Sequence, residues 1–159
     1  MLQESQPDLL DDLNRAILRA LQANGRLSNL ELARRIRLSP PATHARVKQL
    51  EAAGYVRGYV ALVDRERAGF DLLCFISVSL QLHQPEQVRN FPQAVAQMSE
   101  VLECHHVTGE ADYLLKVVVR HRKELEHFIM ERLTPIPGVA RVQTSLVLDE
   151  LKSTTALPV

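Results

Sequence analysis

NGRLSNLELARRIRLSPPATHARVKQLEAAG, residues 24–54, carries the signals that decide how this chain folds at its start. Ser28 stands three residues before Glu31, the spacing of a capping box, and Leu32, Ala33 and Ile36 give the helix behind it an apolar side. Arg37-Leu38 leaves room only for a tight connection. Ser39 then caps a further helix, with Pro40 in its first turn and Gly54 just past its end. Upstream, Leu10, Leu13, Ile17, Leu18 and Leu21 recur at helical spacing behind Asp8, Asp11 and Asp12, whose charges suit the positive end of a helix dipole. That first helix should stop near Gly25. Three helices are predicted, the last two joined by a short turn.

On a helical wheel Thr43, Val47 and Leu50 share the side of the third helix that packs on the other two. The opposite side holds Pro41, Ala42, Ala45, Lys48, Gln49 and Ala52, flanked by His44 and Arg46. Small residues let such a helix enter a groove of DNA closely; Lys48 offers a phosphate contact and Gln49 a base-edge donor or acceptor. Between Gly25 and Val60 basic residues exceed acidic ones by five, although the whole chain has as many Lys and Arg (19) as Asp and Glu (19). A basic segment in a neutral protein can neutralise phosphates locally. Arg35, Ser39, Thr43 and Arg57 complete the candidate DNA-contact set, and Tyr55–Val63, a strand-like run broken by Gly58, suits a small wing. The same periodicity also fits a plain three-helix bundle; the short turn, the polar outward face and the local charge favour DNA.

The 159 residues, 46% hydrophobic and 24% charged, suffice for a real core in one domain or two small ones. No apolar run reaches the ~18 residues of a membrane span, and the opening MLQESQPDLL has no basic or apolar leader character, so the cytoplasm is the expected compartment. Cys74 and Cys104 each lie in an apolar, strand-like run and read as reduced buried thiols.

After a charged stretch with a Gly69-Phe70 break, Leu73, Cys74, Phe75 and the residues up to Leu82 alternate in character as a half-buried strand does. Pro85 to Gln97 reads as a helix around Val88, Phe91 and Val95, made irregular by Pro92. Val101–Val107 and Tyr113–Val119 are two strands. Leu125, Phe128, Ile129 and Leu133 mark a second helix, ended by Pro135-Ile-Pro-Gly138, and Ala140 to Leu148 alternate along a last strand. Strand, helix, strand, strand, helix, strand is the ferredoxin-like βαββαβ order: an antiparallel sheet with helices on one face. Apolar residues on both sides of its strands call for a second copy over the open face.

In the loop from Thr108 to Tyr113, Gly109 permits a positive φ, while Glu110 and Asp112 place carboxylates beside exposed amides. Such a loop can hold the ammonium and carboxylate of an α-amino acid, or be an ordinary hairpin. Cys104, His105 and His106 suggest zinc, but adjacent strand residues face opposite ways, so only Cys104 and His106 converge, and strand residues are the better reading. No GxSxG, Walker A or GxGxxG stretch occurs, and no cofactor is expected.

LDDLNRAIL, NGRLSNLELARRIRLS, RVKQLE and GYVRGYVALVD closely resemble the N-terminal pattern of the Lrp/AsnC (feast/famine) regulators, and the likeness continues through nearly the whole chain. Asn14 stands where that family usually has Asp; Ala42 and Thr43, in the presumed recognition helix, stand where Pro and Cys are frequent. The resemblance implies a sequence-specific transcription regulator acting on promoter DNA. It also implies that TGEADYLL is an effector signature at a subunit interface, adding Thr108 and Tyr113 to Gly109, Glu110 and Asp112. Gln143, Thr144, Ser145 and Leu146 match positions near the effector, and such regulators assemble as dimers and then octamers. The expected division is an α+β protein with a winged helix-turn-helix over 1–63, a linker over 64–72 and a ferredoxin-like effector-binding and oligomerisation domain over 73–159. The expected effector is an amino acid resembling leucine or methionine. The rivals are a metabolic enzyme subunit, which lacks a catalytic constellation, and a non-specific architectural DNA protein, whose basic charge would spread over the whole chain.

Overall fold

The structure, a computed structural model, describes residues 9–81 and 85–159, with the backbone alone for 85–89. Asp8, Leu82 and the side chain of Val88, used in the sequence reading, lie outside the described residues. Contacts divide the chain into two compact units, residues 1–62 together with 152–159, and residues 63–151.

The N-terminal unit contains α1 (Asp12–Ala23), α2 (Asn29–Ile36) and α3 (Pro40–Ala52). Each begins where a local signal placed it. Asp11 caps α1 by accepting from Asn14 N at 2.7 Å. Ser28 and Glu31 form the reciprocal capping box of α2, and Ser39 caps α3 with Pro40 in its first turn. Arg37 ends α2 in the left-handed region, φ 56°, a conformation unusual for a residue with a side chain, and so allows the tight turn into α3. Ile17, Leu18, Ala20, Leu32 and Leu50 form the core. Asn14 is buried with them, and both of its amide heteroatoms have partners: its Nδ2 donates to Leu9 O at 2.6 Å and its Oδ1 accepts from Arg46 Nη1 at 2.9 Å. Tyr55–Val63 is irregular to extended chain that pairs with no other strand among the described residues.

In the second unit β1 (Leu72–Leu80), β2 (Val101–His106), β3 (Tyr113–Val119) and β4 (Val139–Leu146) form one sheet in the order β2-β3-β1-β4, with every neighbouring pair antiparallel. This is the expected ferredoxin-like α+β arrangement. Cys74, Ile76, Val78 and Leu80 of β1, with Tyr113, Leu115, Val117 and Val119 of β3, are buried with Phe91 and Val95 of α4 (Pro85–Ala96) and with Phe128 and Leu133. Pro92 is accommodated on the exposed side of α4. The other helix is not uniform. α5 (Arg122–His127) widens into a π-type turn, Phe128–Leu133, in which Thr134 N reaches back to Ile129 O at 2.9 Å.

Two expectations change here. The open face of the sheet is mixed: Leu73, Phe75, Leu114 and Val118 share it with Ser77, Ser79, Lys116 and Gln143. Both cysteines are free, but Cys104 lies on the exposed edge strand β2 and only Cys74 is buried. An edge strand has one neighbour, so its residues gain cover from one side only.

Candidate DNA interface and ligand pocket

Pro41, Ala42, His44, Ala45, Lys48 and Gln49 line the exposed side of α3, with exposed Arg35 on α2 and exposed Arg57 beyond α3. Arg26, Arg34, Arg35, Arg37 and Arg57 make no ion pair among the described residues, so this part of the unit keeps its positive charge. Lys48 Nζ lies 3.0 Å from Glu51 Oε2, which also leaves Glu51 accepting from Tyr59 Oη at 3.1 Å on its other oxygen. Lys48 and then Tyr59 hold the Glu51 carboxyl below its usual range. An exposed pair of this kind contributes little and exchanges readily for phosphate.

Three of the nominated residues have other tasks. Thr43 is fully buried, as its wheel position required, and its hydroxyl donates to Ser39 O at 3.0 Å, so it is not on the exposed face. Ser39 uses its hydroxyl on Ala42 N. Arg46 Nη1 is held by Asp11 Oδ2 at 2.7 Å and by Asn14, tying α3 to α1. The Asn14 backbone N–H, with Arg46 beside it, keeps the Asp11 carboxyl below its ordinary range.

The second unit holds a cavity of about 360 Å³, lined by Ser77 and Ser79 of β1, Val107, Thr108, Glu110 and Ala111 of the loop, Leu114 of β3, and Arg141 and Gln143 of β4. The register explains the convergence: Ser77 pairs with Gln143 and Leu114, and Ser79 with Arg141, so their side chains share the open face. Ser79 Oγ donates to Glu110 O at 3.2 Å and draws the loop over this end of the sheet. Neither the Arg141 guanidinium nor the Glu110 carboxylate has an ion-pair partner among the described residues. One cavity thus presents a free cation, a free anion, hydroxyls and a small apolar surface.

Of the nominated effector residues, Thr108 and Glu110 line the cavity, and Gly109 between them has φ +120°, a conformation open to glycine. The Asp112 carboxylate is engaged within the fold. A bulge between Ser79 and Leu80 breaks the ladder to β4, and Asp112 Oδ2 accepts from Leu80 N at 2.7 Å while its own N–H reaches Val78 O at 3.0 Å. Its carboxylate is a clasp between loop and strand. Tyr113 is buried on the helix side of the sheet, its ring 4.7 Å from Phe91 and 5.1 Å from His106. Thr144, Ser145 and Leu146 pair with Ile76, Phe75 and Cys74, farther along β4 than the cavity. Ser77, Ser79 and Arg141 escaped the sequence reading; their polar period-two spacing marks the face, but only the pairing register brings them together. Among the described residues no three His, Cys, Asp or Glu side chains come together to hold a metal.

A family profile described as the Lrp/AsnC ligand binding domain matches residues 73–157, and one described as winged helix-turn-helix DNA-binding matches residues 10–57. The leucine-responsive regulatory protein of Escherichia coli strain K12 is 38% identical over 148 residues, 93% of this chain and 90% of its own. A transcriptional regulator of Neisseria meningitidis, solved as its L-Met complex, is 42% identical with a TM-score of 0.91, covering 94% of this chain and 96% of that one. For AsnC of Escherichia coli the values are 30%, 0.82, 92% and 97%. A basic helix-turn-helix unit followed by an α+β ligand module defines a DNA-binding transcription regulator. The chain belongs to the Lrp/AsnC family.

Proposed function

We propose that this regulator binds promoter DNA as an oligomer and that an α-amino acid in the β1–β4 cavity sets its affinity. The observation that carries the reading is that Arg141 and Glu110, each without an ion-pair partner among the described residues, line one cavity and match the carboxylate and ammonium of a zwitterion. Val107, Ala111 and Leu114 favour an apolar side chain such as that of leucine or methionine, in keeping with the L-Met complex of the Neisseria relative. Copies pairing through the open face would cover Phe75 and Leu114; the proposed assembly is a dimer that builds to an octamer, with the effector at subunit interfaces. The protein acts by binding alone, without catalysis or cofactor, in the cytoplasm where promoter DNA lies. The effector works only through different affinities for two states of the assembly.

Calorimetric titration with L-leucine, L-methionine and L-aspartate tests the ligand half: heat from either of the first two and none from the third is expected, and silence from all three overturns it. The DNA half rests on α3. Lys48→Ala should weaken every sequence alike and lower the salt slope by ~1, whereas Gln49→Ala should relax specificity at one position per half-site by about 1–3 kcal/mol. If neither variant changes operator affinity, this face does not meet DNA.

A further inference from the structure

The sequence order assigns Lys152–Val159 to the ligand module, yet these residues fold with the three helices of the N-terminal unit. Two exposed α1 side chains hold them. Gln22 makes a two-way amide pair with Leu157: Nε2 donates to Leu157 O at 3.1 Å and Oε1 accepts from Leu157 N at 2.6 Å. Arg19 Nη1 donates to Val159 O at 2.8 Å, and Val159 packs, partly buried, on the apolar cluster of Ile17, Leu18 and Leu50. Thr154 Oγ1 accepts from Ala156 N at 3.1 Å, and Val159 N donates to Leu157 O at 2.9 Å, so the segment also has internal order. Gln22 imitates a neighbouring strand, and with Arg19 it recognises extended backbone.

The grip matters because of what precedes it. The last bond from this stretch to the sheet is Val147 N to Leu73 O, 2.9 Å, and only residues 148–151 separate it from the strap. Four extended residues reach about 14 Å. The N-terminal unit is therefore tethered twice, through the segment leading into β1 and through this short second connection. Docking of so short a tether is intramolecular, with a high effective concentration, so a few exposed hydrogen bonds and one apolar anchor suffice. A single flexible tether lets a domain swivel; closing the chain into a loop restricts it.

We infer that Arg19 and Gln22 are positioning residues for DNA recognition: by gripping residues 157–159 they restrict the swing of the DNA-binding unit, so that an oligomer presents its α3 helices at a set separation. The inference rests on the DNA-binding oligomer proposed above. It is tested with the full chain on operators whose half-sites are moved apart by half a helical turn, about 5 base pairs, and on a single half-site. The wild type should lose at least tenfold in affinity for the shifted operator. In the Arg19→Ala/Gln22→Ala double variant the difference should fall below threefold, with single half-site affinity within twofold of wild type. Arg19→Lys, which keeps a donor for Val159 O, should retain the wild-type preference. A double variant with the wild-type spacing preference overturns the inference, as does a wild type without one. Loss of single half-site affinity in the double variant assigns both residues to the fold of the unit and overturns a positioning role. Absence of half-site binding by the wild type instead sinks the DNA reading, and hydrogen exchange then judges the strap separately: a Leu157 amide protected in the wild type and free in the double variant supports it, and one free in both removes it.

Discussion

Arg141→Ala is expected to weaken L-methionine binding at least ~30-fold, equivalent to about 2 kcal/mol, while leaving thermal stability near that of the wild type. The guanidinium lines the cavity without an ion-pair partner among the described residues, so its removal breaks no ion pair there. A ligand carboxylate desolvated in the cavity would then lack its countercharge. Glu110→Ala should act alike on the ammonium. Asp112 separates this reading from the one its position in the loop suggests. Asp112→Asn keeps an oxygen for Leu80 N and should bind ligand nearly as well as wild type, whereas Asp112→Ala leaves that N–H unsatisfied and should destabilise the protein by about 1–3 kcal/mol. Calorimetry and thermal unfolding on the four variants decide. If Asp112→Asn abolishes binding while Arg141→Ala and Glu110→Ala do not, the ammonium rests on Asp112.

Phe91→Ala should produce the largest loss of stability, about 3–5 kcal/mol. Phe91 is fully buried, its ring lies 4.7 Å from that of Tyr113 at 37°, and its neighbours come from the sheet and from α4, elements that cannot collapse together to fill the space. Against a total stability of ~5–15 kcal/mol for an ordinary domain this removes a large share. Urea unfolding should show a lower midpoint with little change in slope. A loss under ~1 kcal/mol would mean that α4 does not pack on the sheet as described.

What was legible in the sequence is what local chemistry encodes. Ser28 with Glu31 and Ser39 with Pro40 each announce a helix start because cap and capped amide lie within three residues, and the acidic run with Asp11 and Asp12 marks the start of α1 by its charge. The alternation of β1 and β4 and the strand-like runs of β2 and β3 are likewise legible, and with their order so is the ferredoxin-like sheet. What escaped depends on partners distant in the chain. Arg46 read only as flanking the DNA-contact face because nothing near it in sequence marks Asp11 and Asn14 as its partners. Asp112 looked free because the bulge that strips Leu80 N of its ladder bond arises from pairing with β4. Arg141 enters the cavity only through its register with Ser79, and Gln22 gives no sequence sign that it grips Leu157.

Operator affinity measured by fluorescence anisotropy, with and without saturating L-methionine or L-leucine, tests the central claim that the cavity controls DNA binding. The expected result is a change of ~5- to 150-fold in the wild type, the usual range of coupling between two sites, and none in Arg141→Ala. Identical operator affinity with and without an amino acid that calorimetry shows to be bound would contradict it.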